Sequence, residues 1–142
     1  MRAPFFSAEV RYTKTNEWAR LCGQTVRVGI DDYSQSALGD VVALSLPEAG
    51  TSVTAGAAFG SVEATKTVSD LNAPVSGRVA AVNPAVVEDP GLVNADPFGE
   101  GWLLEIEPSN PAELDALMDA ETYKAWLRSA ANPCRPEGFG NA

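Results

Sequence analysis

Two stretches early in the chain alternate apolar and polar residues with a period of two. Val26, Val28 and Ile30 alternate with Thr25, Arg27 and Gly29, and Val42, Leu44 and Leu46 alternate with Ala43 and Ser45, so each predicts a strand with one buried face. Between them Asp32 is placed to cap a short helix over Tyr33 to Leu38, and Gly39 to end it in the left-handed conformation. Val53 to Phe59 and Gly60 to Ala64 predict strands that rise to a turn at Lys66, and Val75, Gly77, Val79 and Ala81 predict the strand that leaves it. Strands this short and this closely spaced predict a mainly β chain, a small sandwich or flattened barrel of two antiparallel sheets.

Asn83 to Gly101, interrupted by Pro84, Pro90 and Pro97, predicts a long connection of the kind that carries recognition. Trp102, Leu104 and Ile106 predict a last strand, after which the period becomes helical. Asn110 is a candidate cap with Pro111 at the first helical position and Glu113 near the third, and Leu114, Leu117 and Met118 form the apolar stripe. Asp119 then caps a second helix through Tyr123 and Leu127. Pro133, Pro136, Gly138 and Gly140 predict a flexible tail, so the expected organisation is one domain over residues 1–131, including the C-terminal helices, and a tail over 132–142.

A chain of 142 residues suits one such domain better than two. Ten Lys plus Arg against nineteen Asp plus Glu give a formal charge of −9, which disfavours nucleic acid because no basic run offsets the repulsion from phosphates. No apolar stretch is long enough to cross a bilayer, and Arg2 to Val10 is too short and too broken by Pro4 and Glu9 for a secretory signal, so a cytoplasmic protein with no membrane contact is expected. Cys22 and Cys134 read as free thiols. The chain has no histidine, which removes the usual base of a Ser or Cys nucleophile and the usual partner for a two-cysteine metal site. Gly50, Gly56 and Gly60 punctuate strands and do not lead into a helix, so nucleotide binding is not indicated. No catalytic residue and no metal ligand is expected.

What remains chemically distinctive is Lys66, in the run Gly60-Ser61-Val62-Glu63-Ala64-Thr65-Lys66-Thr67-Val68-Ser69-Asp70-Leu71 with Ala73-Pro74-Val75-Ser76-Gly77 behind it. At a hairpin tip its amine is open to an acylating enzyme, and an amide there turns a solvated cation into a long neutral tether. Ala55-Gly56 before it and Ser76-Gly77 after it supply turns and close approach.

These residues resemble the lipoyl-attachment hairpin of the glycine cleavage system H-protein family. The resemblance extends from Tyr12 through Asn16-Glu17-Trp18, Val28-Gly29-Ile30-Asp31-Asp32-Tyr33-Ser34-Gln35, Leu38-Gly39-Asp40-Val41-Val42, Leu46-Pro47-Glu48-Ala49-Gly50, Val62-Glu63 and Lys66. It continues through Asn94-Ala95-Asp96-Pro97 and Gly99-Glu100-Gly101-Trp102 to about Tyr123. It implies a lipoyl-type sandwich and a carrier, not an enzyme. Lipoate on Lys66 would accept an aminomethyl group released by glycine decarboxylation and pass it to a folate-dependent partner, with reoxidation by a dihydrolipoamide dehydrogenase. A lipoate-attaching enzyme is also implied, with Glu63 the candidate for its recognition. Glu17 and Asp70 match the polar positions of a cleft that holds the loaded arm.

Two departures keep a related branch in view. The family's usual His-Glu-Trp is Asn16-Glu17-Trp18, and its common Glu-Ser-Val-Lys-Ala is Glu63-Ala64-Thr65-Lys66-Thr67. Lipoate-binding carriers of sulfur intermediates, partnered by a heterodisulfide-reductase-like complex, are the alternative. A biotinyl carrier is disfavoured because Thr65 and Thr67 stand where methionines normally flank the lysine, and an unmodified interaction domain is the bland alternative.

Overall fold

The computed structural model describes residues 10–110 and 112–128, with all their side chains except those at 33, 34, 36, 127 and 128. Pro111, Cys134 and the tail expected from residue 132 lie outside the described residues. Six strands form one antiparallel sheet: β1 (Arg11–Tyr12), β2 (Glu17–Cys22), β3 (Thr25–Ile30), β5 (Ser52–Val53), β8 (Gly77–Val82) and β9 (Leu104–Pro108), in the order β1-β2-β3-β9-β8-β5. The other sheet is β4 (Val41–Ser45), β6 (Ala58–Ala64) and β7 (Val68–Asn72), in the order β4-β6-β7. Two antiparallel sheets agree with the expected fold class, and they do not close into a barrel.

Val26, Val28 and Ile30 are all buried, as their period predicts, and they pack with Val62, Leu71, Val79, Leu104 and Ile106 in the main core. Trp18 lies in a second cluster with Val10, Tyr12 and Tyr123, and its indole Nε1 donates to Pro97 O at 2.9 Å. The last helix, α5 (Ala120–Arg128), closes that cluster, with Tyr12 and Tyr123 stacked at 4.5 Å between ring centroids. Its expected cap is present, since Asp119 accepts from Thr122 N at 2.8 Å.

Several expectations need correction. The strand that leaves the Lys66 turn is β7, paired with β6, whereas Gly77, Val79 and Ala81 lie in β8 of the six-stranded sheet and Val75 precedes it. In β4 the register shifts between Val41 and Ala43, so Val41 is buried and Val42 is 52% exposed, the reverse of what strict alternation from Val42 implies. The stretch from Val53 to Phe59 is not one strand, because a turn at Thr54–Ala57 separates β5 from β6. The connection from Asn83 to Gly101 contains two helices, α2 (Pro84–Glu88) and α3 (Leu92–Ala95). Asn83 caps α2 with Pro84 at its first position, where proline's missing N–H costs nothing. Finally, α4 (Ala112–Asp115) stops before Leu117 and Met118, and Met118 instead pairs with Tyr12 through two backbone hydrogen bonds of 2.7 and 3.0 Å. The remaining helix, α1 (Asp32–Leu38), begins one residue earlier than the cap assignment implies.

Asn83 also fixes the return to β9: its buried amide donates to Glu100 O and Trp102 O, each at 2.8 Å. Asn83→Ala removes those two bonds and the α2 cap, with an expected cost of about 2 kcal/mol. Urea unfolding measures it, and a cost under a few tenths would show that water replaces the amide.

Candidate functional site

Lys66 sits in the three-residue turn Thr65–Thr67 that joins β6 to β7, and it is exposed. The turn is closed on one side by Ala64 N donating to Thr67 O at 2.9 Å. On the other side Thr65 N donates across to Asp40 O at 3.0 Å, in the segment between α1 and β4. Gly39, with φ +84°, is the left-handed residue expected after α1, and it has a second role. A Cβ built on it would lie 2.8 Å from Thr65 Oγ1 and 3.5 and 3.6 Å from Cγ and Cε of Lys66. Any other residue at 39 would therefore crowd the turn as well as strain the backbone.

The glycine-bearing segment behind the hairpin has an equally direct cause. A Cβ on Gly77 would fall 2.0 Å from Glu107 O, so β8 and β9 can pair there only without a side chain. Glu63 is exposed on β6 opposite Val68 and Ala43, on the outer face of the three-stranded sheet beside the Lys66 turn.

Glu17 and Asp70 occupy different environments. Asp70 is exposed on β7, an edge strand. Glu17 is 1% exposed at the start of β2 and accepts hydrogen bonds from Thr13 Oγ1 at 2.8 Å, from Thr15 Oγ1, and from Asn72 N at 3.1 Å. It thus ties the β1–β2 turn to the end of the strand that leaves Lys66. Burial pushes its carboxyl up to about 7 even though all of these hydrogen bonds pull the other way. Among the described residues no charged donor reaches it, and it makes no hydrogen bond to Asp70.

Asn16, in the same turn, has φ +76°, and its carbonyl accepts from Asp31 N at 3.1 Å. Asn and His are both among the residue types enriched in this conformation, so the Asn16 departure preserves the turn.

Thr13 and Thr15 also line a cleft of ≈ 440 Å³ whose apolar wall includes Tyr12, Ala73, Pro74, Leu117 and Met118. Glu17 lies one hydroxyl behind that wall. Along β7, Val68, Asp70 and Asn72 project to one face in sequence, leading from the Lys66 turn to the Glu17 contact over about 13 Å at ~3.3 Å per residue. Thr13 and Thr15 have no counterpart among the residues expected at the site, because ordinary turn residues carry no signature of the carboxylate they shield. Asn94 is the other participant that pattern does not reveal. Its Oδ1 accepts from Val41 N at 2.8 Å and its Nδ2 donates to Gly39 O at 2.9 Å, across more than fifty residues of chain.

An exposed lysine on a hairpin, supported from behind and linked by one strand to a cleft, is the arrangement of a carrier. The sequence model of the glycine cleavage H-protein family matches residues 10–130. The glycine cleavage system H protein of Bacteroides fragilis is 52% identical over 124 residues, covering 87% of this chain and 98% of that protein. That of Mycobacterium avium is 55% identical over 124 residues, with 84% and 94% covered. The crystal structure of a glycine cleavage system H protein from Mycobacterium marinum superposes with a TM-score of 0.78 at 40% identity, covering 84% of this chain and 97% of that one. The chain belongs to the glycine cleavage H-protein family. It is accordingly a carrier component of the glycine cleavage system and not itself a catalyst. Among the described residues, no helix is long and apolar enough to cross a membrane.

Proposed function

We propose that Lys66 bears lipoate in amide linkage and that the chain shuttles an aminomethyl group between the partner enzymes of glycine cleavage. The observation that carries this is the exposed Lys66 turn, anchored on Asp40 O and resting over Gly39, in a member of this family. The residues present suit the group: the lysine amine has no ion pair or hydrogen bond among the described residues, and the cleft beyond β7 is apolar with a polar end. When bound, lipoate supplies a dithiol that carries the one-carbon amine between active sites. The protein supplies the tether, which gives each partner a high local concentration of its substrate.

The partners under this proposal are the lipoate-attaching enzyme, for which Glu63 beside the turn is a recognition candidate, and the glycine-decarboxylating, aminomethyl-transferring and dihydrolipoamide dehydrogenase components. Glu17 supports an amine as cargo. A carboxyl raised by burial, with only neutral donors around it, is stabilised as the anion when an ammonium group enters the cleft in front of it. Thr13 and Thr15 are the groups that would meet the amine first, their hydroxyl oxygens accepting from it while their protons remain donated to Glu17. Asp70 lies along the path and guides the same cation.

The test is the double substitution Glu17→Gln with Asp70→Asn. The amide introduced by Glu17→Gln can still accept from Asn72 N and donate to a reversed threonine hydroxyl, so the fold and lipoylation are expected to persist. The lifetime of the aminomethyl-loaded form is expected to fall about tenfold, the scale of one charge-assisted hydrogen bond. An unchanged lifetime removes the cleft role. A fully lipoylated wild type that accepts no aminomethyl group from the decarboxylating partner would favour the sulfur-intermediate carrier instead.

A further inference from the structure

The hairpin that carries Lys66 does not by itself fix the position of its tip. One of its amides, Thr65 N, is held by Asp40 O, which belongs to a different segment. Asp40 is in turn straddled by one side chain from α3. Asn94 Nδ2 donates to Gly39 O at 2.9 Å on one side, and Asn94 Oδ1 accepts from Val41 N at 2.8 Å on the other. The same Nδ2 also donates to Gln35 Oε1 at 3.0 Å, and Gln35 Nε2 donates to Asp32 Oδ1 at 2.7 Å. Asp32 and Gln35 are buried in α1. The orientation of the Asn94 amide is dictated by its surroundings, since the reverse would set its NH2 against Val41 N–H and its oxygen against two acceptors.

We infer that Asn94 is a positioning residue for acyl transfer to Lys66, acting through Asp40 on the Thr65 amide and holding Gly39 beneath the lysine stem. The inference rests on the proposal that Lys66 is lipoylated, and it adds a determinant outside the hairpin.

The reason is the geometry that the transfer demands. The neutral Nζ of Lys66 attacks the carbonyl carbon of an acyl adenylate. The amide C–N bond forms as the C–O bond to phosphate breaks, AMP leaves with the electron pair, and the amine's proton passes to solvent. An attacking group must be held near the carbonyl in a narrow range of approach, and the attaching enzyme can seat only what the hairpin presents. A turn fixed at both ends presents one geometry. Without Asn94, Gly39 and Val41 lose their shared partner, Asp40 O is no longer held under Thr65 N, and the turn samples others. Since only the competent fraction binds productively, the apparent affinity of the attaching enzyme falls by that fraction, while the rate at saturation is spared.

The experiment compares wild type, Asn94→Ala, Asn94→Asp and Val86→Ala as apo proteins, using a purified lipoate-protein ligase with lipoate and ATP. Val86, fully buried in α2, which packs on α3 and β4, is the control for loss of core packing beside Asn94 with the Asn94 hydrogen bonds kept. Asn94→Ala is expected to raise KM for the carrier about tenfold with kcat within twofold, while Val86→Ala leaves both at wild-type values. Asn94→Asp keeps the acceptor for Val41 N and loses both donations, so its KM is expected to rise even where Tm is preserved. Amide hydrogen exchange at Thr65, read by NMR, is expected to quicken about tenfold in Asn94→Ala and not in Val86→Ala. A wild-type KM in both Asn94 variants, or unchanged Thr65 exchange, overturns the inference. A wild type that takes no lipoyl group overturns the carrier proposal and the transfer role with it, and the Thr65 exchange then reports separately on whether Asn94 holds the turn.

Discussion

Lys66→Arg is expected to abolish lipoylation completely while leaving the fold and its stability unchanged. Arginine keeps a cation at the exposed tip, so the turn's electrostatics are retained, but the delocalised guanidinium is not an acylable amine at any ordinary pH. The chain has two other lysines, and each is otherwise engaged. Lys14 lies 4.9 Å from the centroid of the Trp126 ring, and Lys124 pairs with Glu121 at 3.3 Å on α5. Lys14 lies in the β1–β2 turn and Lys124 on a helix, so neither is at the tip of the β6–β7 hairpin over Gly39. Intact-mass spectrometry after incubation with the attaching enzyme should show a single addition to the wild type and none to the variant. Lipoate mapped to Lys14 or Lys124 would place the function elsewhere.

The second large effect concerns Glu17 and pH. Its carboxyl titrates at about 7 in the folded protein against an ordinary value of 4.5, so between those values the folded state holds a proton that the unfolded state has released. Stability therefore falls as pH rises through this window. The contribution is least costly below pH 4.5 and reaches its full cost, about 3 kcal/mol at ~1.4 kcal/mol per unit, above pH 7. Glu17→Gln removes the titration and keeps the hydrogen-bonding shape. Urea unfolding at pH 5 and pH 8 should show the wild type losing about 2 kcal/mol more than the variant across that interval. Equal losses would mean that the carboxylate is better solvated than its burial implies.

Much of the fold and the exposed hairpin turn at Lys66 are legible in the residue pattern, and the limits have identifiable physical causes. Strand β3 is plain because Val26, Val28 and Ile30 face one core without interruption. Lys66 is plain because everything that marks it lies within a dozen residues. Strand β4 is misphased because a bulge at Val41/Ala43 inverts the alternation, and a bulge has no residue signature of its own. Helix α2 escapes a reading of Pro84 as an interruption, although Asn83 followed by proline is equally the opening of a helix. The burial of Glu17 depends on an amide 55 positions away, and the grip of Asn94 spans nearly the same distance, so neither is accessible to local pattern.

The sheet that bears Lys66 has two edge strands, β4 and β7. Open edges are also templates on which a second copy of the same chain can add its own strand, the first step toward fibrous aggregation. Here the register breaks in β4 at Val41/Ala43 and in β6 at Ala58/Gly60, and β7 carries the exposed charge of Asp70. A copy that docked edge to edge would meet a ladder out of step on one side and a carboxylate repelling its counterpart on the other. The irregularities that defeat a simple reading of β4 thus also disfavour the addition of a second copy along the edges that flank the hairpin.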